Sequence, residues 1–337
     1  MKKLSPELFI ERKKSAFTIG KRDFRWIALI VLLSILTYYA SQVLLAHYIN
    51  GDQFYYNNFY LALKQAPLAR VMELQLVHTG SAEPLYGYIS WLFANMGFEK
   101  NTYIALTNVL FTVVVGLALK KSGAEPIVFL LLATNFYFVV LLTSAERLKF
   151  AYICFALVFA LPAKTRIVFA LIAPLFHFQM LVNYASLFLG RLAELRAKDL
   201  KKKSTLLPLT TLTIIAAFSA KYVVDSFGDP IFDKFEHYSS IQIFTLDDIS
   251  KVIGLIIVSL ALGVRFSILF AYMFPIAVGV VILGPERVNM IGFVTVLLVA
   301  AKVDKLMNPI FLILLSYFSF KTIGFVGNIL THGNGFV

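Results

Sequence analysis

The sequence has one cysteine, Cys154, two tryptophans and few charges, with only 15% of its residues Asp, Glu, Lys or Arg. A lone cysteine inside an apolar run excludes a disulfide framework and a thiolate metal cluster, and reads as core packing. Histidine is scarce and scattered, with His47, His78, His237 and His332 far apart in the chain. No zinc spacing, phosphate-cradling glycine loop or nucleophile elbow occurs, so no metal is expected. Charge this sparse, beside 59% hydrophobic residues and a mean hydropathy of +0.78, excludes a water-soluble globular domain over 337 residues. Acids are scarcer than bases, and the net charge is +12. Because the bases gather at the edges of apolar runs, with no aromatic-interleaved basic face, they act as topology signals and no nucleic acid partner is expected. Internal repeats are also missing, which weighs against a transporter built from inverted halves.

What is present is a series of apolar runs. A hydrocarbon core about 30 Å thick needs about 20 helical residues. Clear runs cover 24–47, 102–119, 126–143, 167–189, 206–224 and 266–283, and shorter ones cover 84–98, 150–161, 252–264, 288–301 and 306–320. The expected fold is therefore all-α, a polytopic transmembrane bundle of about 9–11 helices forming one domain over 1–337. Residues 1–25 carry Lys2, Lys3, Arg12, Lys13, Lys14, Lys21, Arg22 and Arg25 before a run too long for a cleavable signal, so this tail should be cytoplasmic.

Three polar stretches interrupt the runs. The segment 50–83 follows the first span and should be an external loop with helices lying at the interface. The stretch 191–203 is strongly basic and should be cytoplasmic, whereas 225–250, with Asp225, Asp229, Asp233, Glu236, Asp247 and Asp248, should be external. Between these anchors two arrangements compete. If every run crosses, Lys120, Lys121, Lys164 and Arg166 fall outside, against the positive-inside tendency. If 84–98 dips without crossing and 167–189 turns back near Pro174, those four residues move inside and Arg147 moves out, which is the preferred arrangement.

Polar groups at membrane depth are costly, so they mark candidate sites. Asp52, in Gly51-Asp52-Gln53-Phe54-Tyr55-Tyr56, fits either a general base or a solvated turn acid. Glu83 opens Glu83-Pro84-Leu85-Tyr86-Gly87-Tyr88, where a carboxylate is also favoured simply by the start of a helix. Arg147 and Lys149 suit a phosphate or diphosphate, but equally an interface anchor or an ion pair with Glu146. His177 lies mid-run beside Pro174, with Gln179, Asn183 and Tyr184 after it; it reads either as a satisfied core histidine or as part of a cavity in a broken helix. Arg287, in Gly284-Pro285-Glu286-Arg287, is a second phosphate ligand or a loop charge.

In this order, Gly51-Asp52 with tyrosines, Glu83-Pro84-Leu85 leading to Met96-Gly97, Arg147 opening a helix and Phe176-His177, the chain resembles the EpsG family of exopolysaccharide proteins, and through it the Wzy-type polysaccharide polymerases. The likeness covers about residues 50–190. It departs near Arg147, where small polar residues and Arg-Gln are expected but Glu146-Arg147-Leu148-Lys149 stands. The resemblance implies a GT-C-like, multi-pass glycosyltransferase of the bacterial inner membrane. Such an enzyme polymerises undecaprenyl-diphosphate-linked oligosaccharide repeat units at the outer face, alongside membrane lipid, a chain-length regulator and a flippase. Asp52, Glu83 or His177 would take the proton of the attacking hydroxyl, and Arg147, Lys149 and Arg287 would hold the diphosphate. The lipid diphosphate already activates the sugar, so no cofactor is expected. The competing classes are a flippase or transporter of lipid-linked sugars and a non-catalytic subunit of a synthesis complex.

Overall fold

A computed structural model describes residues 21–81, 83–195, 246–283 and 285–336. The expected span 206–224, most of the acidic stretch 225–250 and most of the basic stretch 191–203 lie outside them. All regular structure among the described residues is helical. In chain order it comprises α1 (Lys21–His47), α2 (Asp52–Leu63), a short 3-10 turn (Leu68–Arg70), α3 (Val71–Thr79), α4 (Pro84–Asn95) and α5 (Lys100–Ser122). Then come α6 (Pro126–Ala133), α7 (Phe136–Thr143), α8 (Glu146–Ala160), α9 (Ala163–Phe176) and α10 (Met180–Glu194). The last four are α11 (Leu246–Ala261), α12 (Phe266–Leu283), α13 (Pro285–Lys302) and α14 (Pro309–His332).

α1, α5 and α14 are each long and apolar enough to cross a bilayer. α6 and α7 together add a fourth candidate span, bent by 54°. Among the described residues, the other apolar runs form shorter helices. α8 and α10 have 15 residues each and α9 has 14, below the about 20 that the hydrocarbon core demands. The bend between α6 and α7 has a local cause: Asn135 leaves the helical path and its side chain caps α7 by accepting from the Tyr137 N–H at 2.9 Å.

α1 illustrates why these helices belong in lipid. Trp26, Ile30, Leu33, Thr37, Ser41, Leu44 and Tyr48 recur at helical spacing and are buried, while Phe24, Ile27, Val31, Leu32, Ile35, Leu36, Tyr39 and Val43 face outward. A helix apolar on all sides, with its outer face bare, is stable only in hydrocarbon. Lipid tails are as apolar as leucine, so α1 and α5 associate by close packing and polar pairs. A Cβ on Gly116 of α5 would come within 2.8 Å of Ile30 and 3.0 Å of Phe129. Thr112 donates to Thr37 at 3.2 Å, and Asn108 donates to Ser41 at 2.8 Å.

The contacts sort the chain into two ends. At one, Asp23 pairs with Lys120 at 2.8 Å and Arg22 with Glu125 at 3.1 Å, while Lys121 and Arg166 donate to the Leu161 carbonyl. At the other, the Ile49 and Asn50 N–H groups donate to the Gly333 carbonyl, joining the exit of α1 to the exit of α14. α1 and α5 are thus antiparallel, and the intervening α2, α3 and α4 begin and finish at the same end of the bundle. α8 returns toward the Arg22 end and α9 comes back. These directions are those of the arrangement in which 84–98 does not cross. The break within 167–189 falls at His177 to Gln179, just after Pro174, which itself remains inside α9 two residues before its end.

Candidate functional site

Glu83 is the N-cap of α4, with Pro84 supplying the first helical residue. Its carbonyl accepts from the Gln75 side chain of α3 at 2.8 Å. Gln75 also donates to Ser81 at 3.1 Å, and it lies so near Gly87 that a Cβ there would collide with its Oε1. The loop before α4 is therefore pinned from within, which aims the Glu83 carboxylate into the bundle, where it is buried.

Both carboxylate oxygens are used. Oε2 takes the Arg147 guanidinium at 2.8 Å, and Oε1 lies 3.1 Å from His177 Nδ1. Arg147 also donates from Nε to the Tyr56 hydroxyl of α2 at 3.4 Å. Burial by itself would raise the Glu83 pKa; Arg147, then His177 and Ser81, outweigh it and hold the carboxyl well below the usual carboxylate range. An ionised Glu83 favours the His177 tautomer with its proton on Nδ1, which leaves Nε2 as the basic atom.

A second ionic group lies beside the first. Glu146, in the first turn of α8, has no exposed surface and takes Lys100 at 2.9 Å, the Gln53 amide at 2.8 Å and the Tyr86 hydroxyl at 2.8 Å. Lys100 also donates to the Gln53 carbonyl oxygen. Consecutive residues of α8, Glu146 and Arg147, thus grip two residues of the first turn of α4, Tyr86 and Glu83. The carboxylate of Glu146 also suits the positive end of the α8 dipole.

Of the six residues singled out in the sequence, the structure brings three together: Glu83, Arg147 and His177. Asp52 begins α2, one turn before Tyr56 on the same helical face. Lys149 does not accompany Arg147. Two positions on along a helix it faces elsewhere, and its ammonium donates to Asn108 Oδ1 at 2.6 Å while Asn108 donates to Ser41 and the Leu142 carbonyl. Arg287 lies in the first turn of α13, and its side chain is outside the described residues. Arg147 pairs with Glu83 and not with Glu146, whose cation is Lys100. Sequence reasoning missed Gln53, Tyr56, Tyr86, Lys100 and Asn108. Only Asn108, a polar residue inside the apolar run 102–119, carried a visible signal. Among the described residues no group of three His, Cys, Asp or Glu could hold a metal ion.

Family models, curated proteins and solved structures were all compared with this chain, and none of them matches it.

Proposed function

We propose that this helical membrane protein is a polymerase that joins undecaprenyl-diphosphate-linked oligosaccharide units into a surface polysaccharide at the outer face of a bacterial inner membrane. The observation that carries the reading is the pair of interactions on Glu83: one buried carboxylate holds a base, His177, and a cation, Arg147, at one end of the bundle. The bases Arg22, Lys120, Lys121 and Arg166 gather at the opposite end, as the positive-inside tendency requires of the cytoplasmic side. This charge asymmetry supports an outward-facing Glu83 cluster, on the side where lipid-linked sugars would be joined.

In this mechanism the acceptor hydroxyl attacks the anomeric carbon of the donor sugar while the bond from that carbon to the diphosphate oxygen breaks. The diphosphate leaves with the electron pair. His177, oriented by Glu83, takes the hydroxyl proton on Nε2, and Asp52 on the neighbouring α2 orients the acceptor. Arg147 stabilises the charge growing on the leaving diphosphate. Lys149, spent on Asn108, acts only through the packing of α8 against α5.

The test is the surface glycan of cells that carry His177→Ala at normal membrane level. We expect loss of the long-chain ladder, with single repeat units left on carrier lipid at the outer face. Repeat units stranded at the cytoplasmic face would favour a flippase instead. An unchanged ladder would reduce the buried network to structural support in a non-catalytic subunit.

A further inference from the structure

A cavity of about 280 Å³ opens between α2 and the start of α5. Its α2 wall is the stripe Asn57, Tyr60, Leu61 and Lys64, which repeats at helical spacing. The facing wall is Glu99, Lys100 and Asn101. We infer that this cavity is a carbohydrate subsite that receives one neutral, hydroxyl-rich sugar ring of the acceptor chain, an assignment that rests on the polymerase reading for the role of the sugar and not for its binding.

The lining decides the ligand class. The lining holds no arginine whose fork could take two phosphate oxygens. Here Lys100 is already committed to Glu146 and Gln53, and Lys64 faces a single carboxylate wall in Glu99, so the charge is balanced. What is left is two side-chain amides, Asn57 and Asn101, each able both to donate and to accept, one carboxylate and one ammonium. This combination matches adjacent sugar hydroxyls, which need a donor and an acceptor at each oxygen. Leu61, more than half exposed, supplies an apolar surface for the C–H face of a ring. The floor is rigid: the Tyr60 hydroxyl donates to the Phe98 carbonyl at 3.1 Å, and its ring stacks on Tyr103 with centroids 5.9 Å apart.

The position fits an acceptor. Lys100 borders the cavity and reaches Glu146, whose neighbour Arg147 holds Glu83, and Gln53, one turn before Asn57 on α2, also binds Glu146, so the subsite and the ionic cluster adjoin along this helix.

Purified full-length protein in lipid nanodiscs, probed by saturation-transfer NMR with glucose, galactose, N-acetylglucosamine and glucuronate at millimolar concentration, tests this. At least one neutral sugar should show ring-proton saturation. The double substitution Asn57→Ala with Asn101→Ala, at two partly exposed positions, should weaken that signal about tenfold, the effect of losing a contact or two to hydroxyls. Leu61→Asp, a surface change, should weaken it as well. Inorganic phosphate should not displace the sugar. The subsite is overturned if no sugar in the set binds, if the Asn57 and Asn101 substitutions or Leu61→Asp leave binding intact, or if phosphate competes. Because binding is read without polymer, it separates from the glycan ladder of His177→Ala. A lost ladder with no sugar binding removes the subsite alone, and sugar binding with an intact ladder removes the polymerase alone.

Discussion

Glu83 and Arg147, 64 residues apart in the chain, meet at 2.8 Å inside the bundle, where each is almost fully buried. Their pairing ties the loop before α4 to the first turn of α8 and leaves the second Glu83 oxygen for His177. A buried pair of this kind need not add much stability, because desolvating two charges offsets their attraction; breaking it on one side, however, strands the other charge.

A double-mutant cycle separates the two effects. Glu83→Gln and Arg147→Met should each destabilise the purified protein by about 3 to 5 kcal/mol, since each strands a buried charge. The combination should cost far less than the sum, giving a coupling energy well above the scatter of independent sites. Thermal or denaturant unfolding in detergent, with the four proteins side by side, measures it. Additive losses would mean that the two side chains do not share one interaction.

The same carboxylate makes stability depend on pH in a stated direction. A carboxyl whose pKa falls on folding contributes stability that is fully present above its unfolded value of about 4.3, and this is lost as pH drops through the lower folded value. Glu83 is depressed in this way, by Arg147, His177 and Ser81 against the opposing effect of burial. Wild-type protein should therefore lose thermal stability on acidification below about pH 4.3 more steeply than Glu83→Gln, which has no proton to take up at that position. Equal acid slopes for the two proteins would show that Glu83 is not ionised in the folded state.

Sidedness is open to direct chemistry. Arg70 and Lys164 are exposed, the first in the segment between α1 and α5, the second at the start of α9 near the Arg22 end. Single cysteines at these positions, in a Cys154→Ala background, should react differently with a membrane-impermeant thiol reagent in intact spheroplasts, with labelling at 70 and protection at 164. Equal labelling of both would refute the assignment of the two ends to opposite faces.

The sequence by itself determined that this chain is helical and lives in a membrane, because both follow from composition and run length: apolar residues on every face of α1 and α14 leave no other solvent, and lipid demands that each backbone group be satisfied within its own helix. It also marked Glu83, Arg147 and His177, since ionisable groups within apolar runs or at their edges are costly enough to stand out singly. Which of them touch was beyond it. Arg147 lay next to Glu146 in the chain, yet neighbouring helical residues point apart, and only the tertiary fold could give Glu83 to Arg147 and Lys100 to Glu146. Lys149, two residues from Arg147, went by the same rule to Asn108 and out of the expected phosphate site. Gln53, Tyr56 and Tyr86 gave no local signal because a neutral polar side chain in an aromatic stretch is ordinary at an interface. They joined the site only when α2 and α4, which no periodicity could orient, were packed against the first turn of α8.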